Sequence, residues 1–278
     1  MTATMKLVLI TADPRLASLS ERAGVGRIMV DIERMGKFER QKCRDTWISK
    51  HELSDVRPVA NVLTSADLMV RINPIHEGSQ GEIDVAIEGG AQSIMLPMFT
   101  DPSEVESIGR MINSRCGFIP LIETGAALDA IDEIASQSTV TEVFIGLNDL
   151  HLSLGLEFMF EPLVNGMLEK ACEILSRTNK PYGFGGIARV GEGDLDAELI
   201  MQRHAHLGST RVNLSRTFAR SEMAGVADGD DTAIGSEVAR LLSVYEEAKH
   251  DDALERMRIH ALIEDQLANI IARLPNIA

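Results

Sequence analysis

Eight short apolar runs recur along this chain of 278 residues, and stretches with helical spacing separate them. Most of the runs are apolar throughout rather than alternating with polar residues. Continuous apolarity is typical of parallel strands that are buried on both faces of a sheet. We therefore predict strands at 6–11, 27–33, 68–73, 93–98, 117–124, 142–149, 181–187 and 211–217.

The segments between these runs carry apolar residues at the spacing of one helix face. The clearest stripe consists of Val164, Met167, Leu168, Ala171, Cys172 and Leu175. A stripe of this kind packs a helix onto the outside of a sheet. Eight strand–helix units in a chain of this length predict an α/β fold, a closed (β/α)8 TIM barrel. A doubly wound open sheet is the alternative.

Two parts of the chain are longer than the barrel pattern requires. The charged segment 34–61 follows the second predicted strand, and we expect a short helix and a loop over the barrel mouth, with Trp47 as a cap. After the hinge-like residues 228–231, the pattern is strongly helical. We predict a barrel domain at 1–228 and a C-terminal helical extension at 229–278, which docks on the barrel or on a neighbouring subunit.

The chain is acidic, with 27 Lys and Arg residues against 42 Asp and Glu residues and a formal net charge of -15. A net negative field argues against nucleic acid and anionic membranes as partners. An anionic substrate would need cations placed locally at its site. Three scattered cysteines form no disulfide framework or zinc pattern, so we expect a reducing, cytoplasmic environment.

Glu123 and Asp149 each close a predicted strand, about one strand–helix–strand unit apart. If the two strands are parallel neighbours, both carboxylates reach the same end of the sheet. Two carboxylates there, together with waters and the oxygens of a bound oxo-acid, suit Mg²⁺ or Mn²⁺. The pair therefore predicts a divalent-metal site.

Arg71 lies inside an apolar predicted strand, where an unpaired guanidinium would be costly. One candidate partner is a carboxylate of the protein, such as Glu33 or Glu123. The other is the carboxylate or enolate of a substrate, held by two hydrogen bonds. The residues alone leave both interpretations open. Glycines at 183, 185 and 186 could let backbone amides approach an anion, although glycine is also common at tight turns.

Five strand-end motifs, taken together, resemble the HpcH/HpaI aldolase and citrate lyase β-subunit family of metal-dependent (β/α)8 enzymes. The resemblance covers roughly residues 6–218, and the motifs occur in the family's order. The matching stretches are Val30-Asp31-Ile32-Glu33, Val70-Arg71-Ile72-Asn73, Gly90-Ala91-Gln92-Ser93-Ile94-Met95-Leu96-Pro97, Leu121-Ile122-Glu123-Thr124 and Phe144-Ile145-Gly146-Leu147-Asn148-Asp149-Leu150.

The resemblance implies that Glu123 and Asp149 bind the metal, and that Arg71 holds the carboxylate and enolate oxygens of a pyruvate-like unit. The residues implied to line the pocket are Pro97, Gly146, Leu147 and Asn148. The family often assembles as trimers or hexamers that exchange the eighth barrel helix. The spare C-terminal helices of this chain fit such self-association.

Two positions depart from the family pattern. Arg34 stands where the family's aldolases carry a histidine after Asp-x-Glu, and Met98 stands where many relatives have lysine. No histidine lies at a predicted strand end, and His76 and His151 come nearest. Proton transfer would therefore use a group other than the family histidine.

The predicted function is a metal-dependent carbon–carbon lyase, or aldolase, that makes or breaks a bond to a pyruvate-like enolate of a 2-oxo acid. Lys37, Arg40 and Arg189 could bind a distal anionic group of the substrate. The other residues expected to support the site or contact the substrate are Asp31, Glu33, Arg34 and Asn73.

Three alternatives to the aldolase remain at this stage. The enzyme could cleave a malyl-CoA or citramalyl-CoA thioester, or it could condense phosphoenolpyruvate (PEP) with an aldehyde. The missing histidine also motivates a non-catalytic barrel that binds a small oxo-acid.

Overall fold

A computed structural model of the protein describes residues 4–37, 49–219 and 231–274. Eight parallel strands, β1 to β8 in chain order, form a closed barrel. They are Lys6–Ile10, Arg27–Asp31, Asp67–Arg71, Ser93–Leu96, Gly117–Ile122, Val143–Ile145, Tyr182–Ile187 and Arg211–Leu214. Strand β1 pairs with β8, which closes the sheet, so the (β/α)8 prediction is confirmed and the open sheet is wrong. Trp47 and Arg40 lie outside the described residues.

Helices connect the strands and cover the outside of the barrel. They are numbered α1 to α11 in chain order: Pro14–Arg22, Val56–Ala60, Ser79–Gly89, Pro102–Ile112, Gly125–Asp129, Ile131–Ser136, Leu147–Ser153, Met167–Ser176, Ala197–His206, Asp231–Ala248 and Ala253–Ile271. Short 3₁₀ turns lie at Leu53–Asp55, Glu161–Leu163 and Arg216–Ala219. The helical stripe predicted around residue 171 corresponds to α8, whose apolar face is buried.

The end of β6 differs from the prediction in a way that bears on the site. The strand ends at Ile145, and α7 begins at Leu147 with Gly146 as its N-cap. Asp149 therefore lies in the first turn of a helix, and its placement at a strand end was wrong. A continuous apolar run does not reveal where a buried strand gives way to a buried helix. A carboxylate in the first turn also interacts favourably with the helix dipole.

Gly183 illustrates why β7 is rich in glycine. A Cβ atom at this position would lie 2.2 Å from the carbonyl oxygen of Arg211 on β8. The pairing of β7 with β8 shifts register between Gly183 and Gly186, so the two backbones run unusually close. Gly183 therefore allows β7 and β8 to approach closely within the sheet. It does not belong to a loop after the strand.

The C-terminal helices pack against the barrel. Helix α10 contacts α9 and α1, the helices that follow β7 and β1, and α11 contacts α9. The Tyr245 hydroxyl of α10 donates a hydrogen bond of 2.9 Å to the Ser209 carbonyl, just before β8. Helix α10 thus occupies the place of the eighth barrel helix, while the boundary at 228/229 and a role in self-association stay predictions. The described helices include none that is long and apolar enough to cross a membrane.

His204 is a buried histidine in the layer between α9 and β7. Its ring stacks on Phe184 with centroids 3.7 Å apart, and its Nδ1 lies 2.8 Å from the Ser209 hydroxyl. Burial lowers the pKa of His204 from 6.5 to about 3, because removal from water disfavours the charged imidazolium and no neighbouring charge compensates. Between these two values the unfolded chain binds the proton and the folded chain does not, so stability falls as the pH falls.

We expect His204 to contribute roughly 2 kcal/mol to the loss of unfolding free energy between pH 7 and about pH 5. The measurement is urea unfolding at both pH values for the natural protein and for His204→Gln, which does not titrate there. The other titrating groups contribute equally to the loss of unfolding free energy in both proteins, so their contributions cancel when the two losses are subtracted. An equal acid loss in both would contradict a neutral, buried His204.

Candidate active site

Strand alternation determines which residues face the barrel axis. One residue set, which includes Val8, Met29, Met69, Met95 and Phe144, packs inside the barrel, while the residues between them pack outward under the helices. Successive side chains of a strand point to opposite faces. Continuing the inward positions to the carboxyl end of each strand gives Ile10, Asp31, Arg71, Pro97, Glu123, Gly146, Gly185 and Asn213. The charged members of this ring define the candidate active site.

Arg71 pairs with Asp31 of the neighbouring strand β2. Its Nε and Nη2 donate hydrogen bonds of 2.8 and 2.7 Å to the two oxygens of Asp31, and its Nε lies 3.5 Å from Glu33 Oε2. Burial alone would lower the pKa of Arg71, but the charges of Asp31 and Glu33 raise it well above its usual value. Nη1 forms no hydrogen bond with any described residue, which leaves it as a donor for a ligand.

Lys37 completes a compact cluster of two cations and two anions. Only 5% of the residue is exposed, and its Nζ lies 3.0 Å from Asp31 Oδ2 and 3.3 Å from Glu33 Oε2. Burial alone would raise the pKa of Asp31, but Arg71 and Lys37 outweigh it and hold that pKa far below its usual range. Lys37 therefore binds carboxylates of the protein here, rather than presenting a free cation for a distal substrate group.

Glu123 is a buried carboxylate of the site whose surroundings disfavour its ionised form. It is 3% exposed, and its Oε1 accepts a 2.9 Å hydrogen bond from the backbone N–H of Met98. Burial, followed by the negative charges of Glu33 and Asp149, raises the pKa of Glu123. A Cβ atom on Gly146 would lie 3.0 Å from Glu123 Oε2, so glycine is needed for the close approach of β6.

These features fit a divalent cation held by Glu123 and Asp149. Carboxylate oxygens are hard donors of the kind that Mg²⁺ and Mn²⁺ prefer. Burial and neighbouring negative charges disfavour the ionised form of Glu123. A cation beside the two carboxylates would favour that ionised form. Within the described part of the chain, no group of three or more His, Cys, Asp or Glu residues is spaced to hold a metal ion. A metal here would thus complete its coordination with water or with substrate oxygens.

Met98, whose N–H donates to Glu123, has a strained backbone conformation. Its φ of 55° lies in the left-handed region, which is unusual for a residue other than glycine. This conformation accompanies the hydrogen bond from its N–H to Glu123. Backbone strain of this kind is concentrated at functional sites.

Asn73 ties the loop after β2 to the loop after β3. Its Oδ1 accepts hydrogen bonds from the backbone N–H groups of Arg34 and Met35, at 2.8 and 3.0 Å. Its Nδ2 donates to Glu82 Oε1 at 2.7 Å. The Arg34 side chain instead donates to the carbonyls of Lys50 and His51, both at 3.1 Å. Asn73 and Arg34 thus hold the loop that carries Lys37.

His51 is a site residue that the sequence patterns did not reveal. Its Nδ1 accepts a 3.1 Å hydrogen bond from the backbone N–H of Asp31, and burial lowers its pKa. His51 lies in a loop with no strand or helix pattern, so its only signal was a histidine within the charged segment 34–61. His151, one of the two histidines nearest a predicted strand end, is buried in α7 with its Nδ1 3.2 Å from the Leu147 carbonyl.

The remaining predicted site residues lie around the rim of the barrel mouth. Leu147 is buried, and a Cβ atom on Gly185 would lie 2.9 Å from its Cδ1. Asn148 lies beside it in the first turn of α7. Arg189 follows β7, and its guanidinium carbon lies 5.4 Å from the ring centroid of Phe218. The structure therefore gathers Arg71, Asp31, Glu33, Lys37 and Glu123 into one cluster, and leaves Arg34 and Arg189 at its edge.

Comparison with solved structures supports the fold. An HpcH/HpaI aldolase/citrate lyase family protein from Burkholderia cenocepacia J2315 is 15% identical, with coverage of 80% of this chain and 93% of that chain and a TM-score of 0.61. The HpcH/HpaI aldolase from Desulfitobacterium hafniense DCB-2 is 15% identical, with 80% and 91% coverage and a TM-score of 0.60. The citrate lyase beta subunit from M. tuberculosis, complexed with oxaloacetate and magnesium, is 15% identical, with 90% and 98% coverage and a TM-score of 0.58.

Sequence comparison assigns the family. A search of curated protein sequences found no match. The profile of one family, described as HpcH/HpaI aldolase/citrate lyase, matches residues 7–184, which is more than half of the chain and includes most of β1 and all of β2 to β6. The chain therefore belongs to the HpcH/HpaI aldolase/citrate lyase family.

Proposed function

We propose that this protein is a divalent-metal-dependent carbon–carbon lyase, which makes or breaks the bond between a pyruvate-like enolate and an aldehyde. The observation that carries the proposal is the buried Glu123 at the carboxyl end of a closed barrel. After burial itself, the negative charges of Glu33 and Asp149 raise the pKa of Glu123, and the positive charge of Arg71 lowers it. Family membership agrees with a lyase, and a solved structural neighbour is complexed with oxaloacetate and magnesium.

The proposed roles of the charged residues follow from their contacts. Glu123 and Asp149 would hold Mg²⁺ or Mn²⁺, and the bound ion would supply Lewis-acid stabilisation of negative charge on substrate oxygens. Asp31 fixes the guanidinium of Arg71 by two hydrogen bonds, so Nη1 is held ready for the oxo-acid. A fixed charge of this kind costs no reorganisation as negative charge develops.

In the condensing direction, a methyl proton leaves pyruvate and the resulting carbon nucleophile attacks the aldehyde carbonyl carbon. The carbonyl oxygen then takes up a proton, which gives a 4-hydroxy-2-oxo acid. Cleavage reverses these steps and returns pyruvate and the aldehyde. Arg71 stabilises the negative charge on the 2-oxo oxygen in both directions, and the buried carboxylate cluster keeps the guanidinium in place.

The deciding experiment is exchange of the pyruvate methyl protons for deuterium in heavy water, followed by proton NMR. We expect exchange with Mg²⁺ or Mn²⁺ and its loss on addition of a chelator. Pyruvate binding without exchange would contradict the lyase and favour an oxo-acid-binding barrel. Oxaloacetate, malyl-CoA, and PEP with an aldehyde, tested as substrates, separate the aldolase from the thioester lyase and the PEP-dependent enzyme.

A further inference from the structure

A layer of polar side chains closes the end of the barrel opposite the candidate active site. Arg27, Ser93 and Glu142 each lie two residues before an axis-facing core residue of β2, β4 and β6. Successive side chains of a strand alternate between the two faces, so these three also face the axis. They are 6%, 5% and 4% exposed. Branched apolar side chains normally fill such a layer, so buried polar groups here need a separate explanation.

Ion pairs cross this layer from one side of the barrel to the other. Arg27 Nη1 and Nη2 donate hydrogen bonds of 2.5 and 3.1 Å to the two oxygens of Glu142. Arg211 of β8 donates a 2.9 Å hydrogen bond from its Nε to Glu142 Oε2. Lys6 pairs with Asp67, whose Oδ2 also lies 3.7 Å from Arg27 Nη2. The network contains three cations and two carboxylates, so one positive charge lacks a counter-charge among the described ion pairs.

Two buried donors of the same layer have no acceptor. Arg27 Nε and Ser93 Oγ are both buried, and neither forms a hydrogen bond with any residue that the structure describes. Buried polar atoms in folded proteins are nearly always hydrogen-bonded, so each orphan requires an explanation. The Nε of a guanidinium can only donate, so the group that satisfies it has to be an acceptor.

Strand β5 contributes no side chain beside Ser93. The residue of β5 that pairs with Ser93 is Gly117, two positions before the axis-facing Ile119. A Cβ atom on Gly117 would lie 3.3 Å from the Cβ of Ser93, so any larger side chain would crowd the serine. Gly117 itself is half-buried. The glycine thus leaves Ser93 approachable from the end of the barrel.

We propose that this layer binds one small monovalent anion of the size of chloride, which accepts hydrogen bonds from Arg27 Nε and the Ser93 hydroxyl. The anion supplies both the acceptor that the two donors lack and the negative charge that the network lacks. A water molecule would satisfy the donors but leave the buried charge uncompensated, which is costly. The role of the ion is structural, because this end of a TIM barrel serves stability rather than catalysis.

Crystals of the natural protein soaked in bromide test the site directly, because bromide replaces chloride and scatters X-rays anomalously. We expect an anomalous peak within hydrogen-bond distance of both Arg27 Nε and Ser93 Oγ. Density at that place without an anomalous signal would identify a water molecule and overturn the proposal. Absence of any density between the two donors would overturn it as well.

Thermal unfolding measures what the anion contributes in solution. At constant ionic strength, replacing the bulky anion gluconate by chloride is expected to raise the Tm of the natural protein by roughly 2–4 °C, and the rise should saturate. Ser93→Ala is expected to lose most of this shift. Ser20→Ala, which removes a buried hydroxyl without a partner from α1, is expected to keep it. An equal shift in all three proteins would indicate a general salt effect and overturn the site.

A matched pair of variants tests the charge of the layer without any bound ion. Ser93→Asp places a carboxylate where the anion is proposed, and Ser93→Asn places a neutral group of the same size there. In neutral, chloride-free buffer, Ser93→Asp is expected to have the higher Tm of the two and to show no response to chloride. A higher Tm for Ser93→Asn would mean that the layer has no excess positive charge. That result would overturn the proposal even if both variants are less stable than the natural protein.

Discussion

Arg71→Gln is expected to slow metal-dependent exchange of the pyruvate methyl protons by roughly 10²–10³-fold, the usual effect of losing one preorganised electrostatic group. The guanidinium is held by Asp31 at 2.8 and 2.7 Å, so its remaining donor, Nη1, is fixed before the substrate arrives. Glutamine retains polarity but lacks both the charge and the reach. The loss should appear in kcat as well as in kcat/KM, because the charge it meets develops during the reaction.

A purely structural role of Arg71 predicts a different result. Removing one partner of a buried ion pair leaves an uncompensated charge on Asp31, at a typical cost of about 3–5 kcal/mol in stability. The double variant Arg71→Gln with Asp31→Asn removes both charges. If Arg71 only neutralises Asp31, the double variant should recover both stability and exchange. If Arg71 stabilises the reacting oxygens, the double variant should recover stability alone, and thermal unfolding measured beside exchange distinguishes the two cases.

The barrel was predictable from the sequence because buried parallel strands leave continuous apolar runs. All eight predicted strands are present, and their starts differ by at most one residue from the predictions. Their ends were less well predicted, because the chain stays apolar as it passes from strand to helix. Asp149 shows this most clearly, since Leu147 and Leu150 are as buried in α7 as Phe144 is in β6.

The site was predictable only in part. Arg71 was identifiable because a guanidinium inside an apolar strand demands a partner. Its two hydrogen bonds go to Asp31, which was not predicted, while the predicted Glu33 forms a longer ion pair of 3.5 Å with it. Parallel pairing explains the outcome, since Asp31 and Arg71 are directly opposite in the β2–β3 register. Contacts made by loops, such as those of Lys37 and His51, depend on how the chain folds back over the barrel. No periodicity in the sequence encodes that path.

Glu123→Gln and Asp149→Asn are each expected to abolish most of the Mn²⁺ binding, measured by electron paramagnetic resonance of the free ion. Each change replaces one of the two carboxylates proposed to hold the ion by a neutral amide. The same loss should be visible in thermal unfolding. Mg²⁺ at 100 times its Kd stabilises a one-site protein by about 2.7 kcal/mol, and the variants should lose that stabilisation.

Without metal, Glu123→Gln should be no less stable than the natural protein, because it removes a buried carboxylate whose ionisation Glu33 and Asp149 oppose. Glu33→Gln is the matched control, since it removes a neighbouring buried carboxylate that Lys37 already neutralises. We expect Glu33→Gln to keep the natural Mn²⁺ stoichiometry. Equal loss of Mn²⁺ in Glu33→Gln would show that the ion responds to the total charge of the cluster. Normal Mn²⁺ binding by both Glu123→Gln and Asp149→Asn would show that the metal does not bind at this pair.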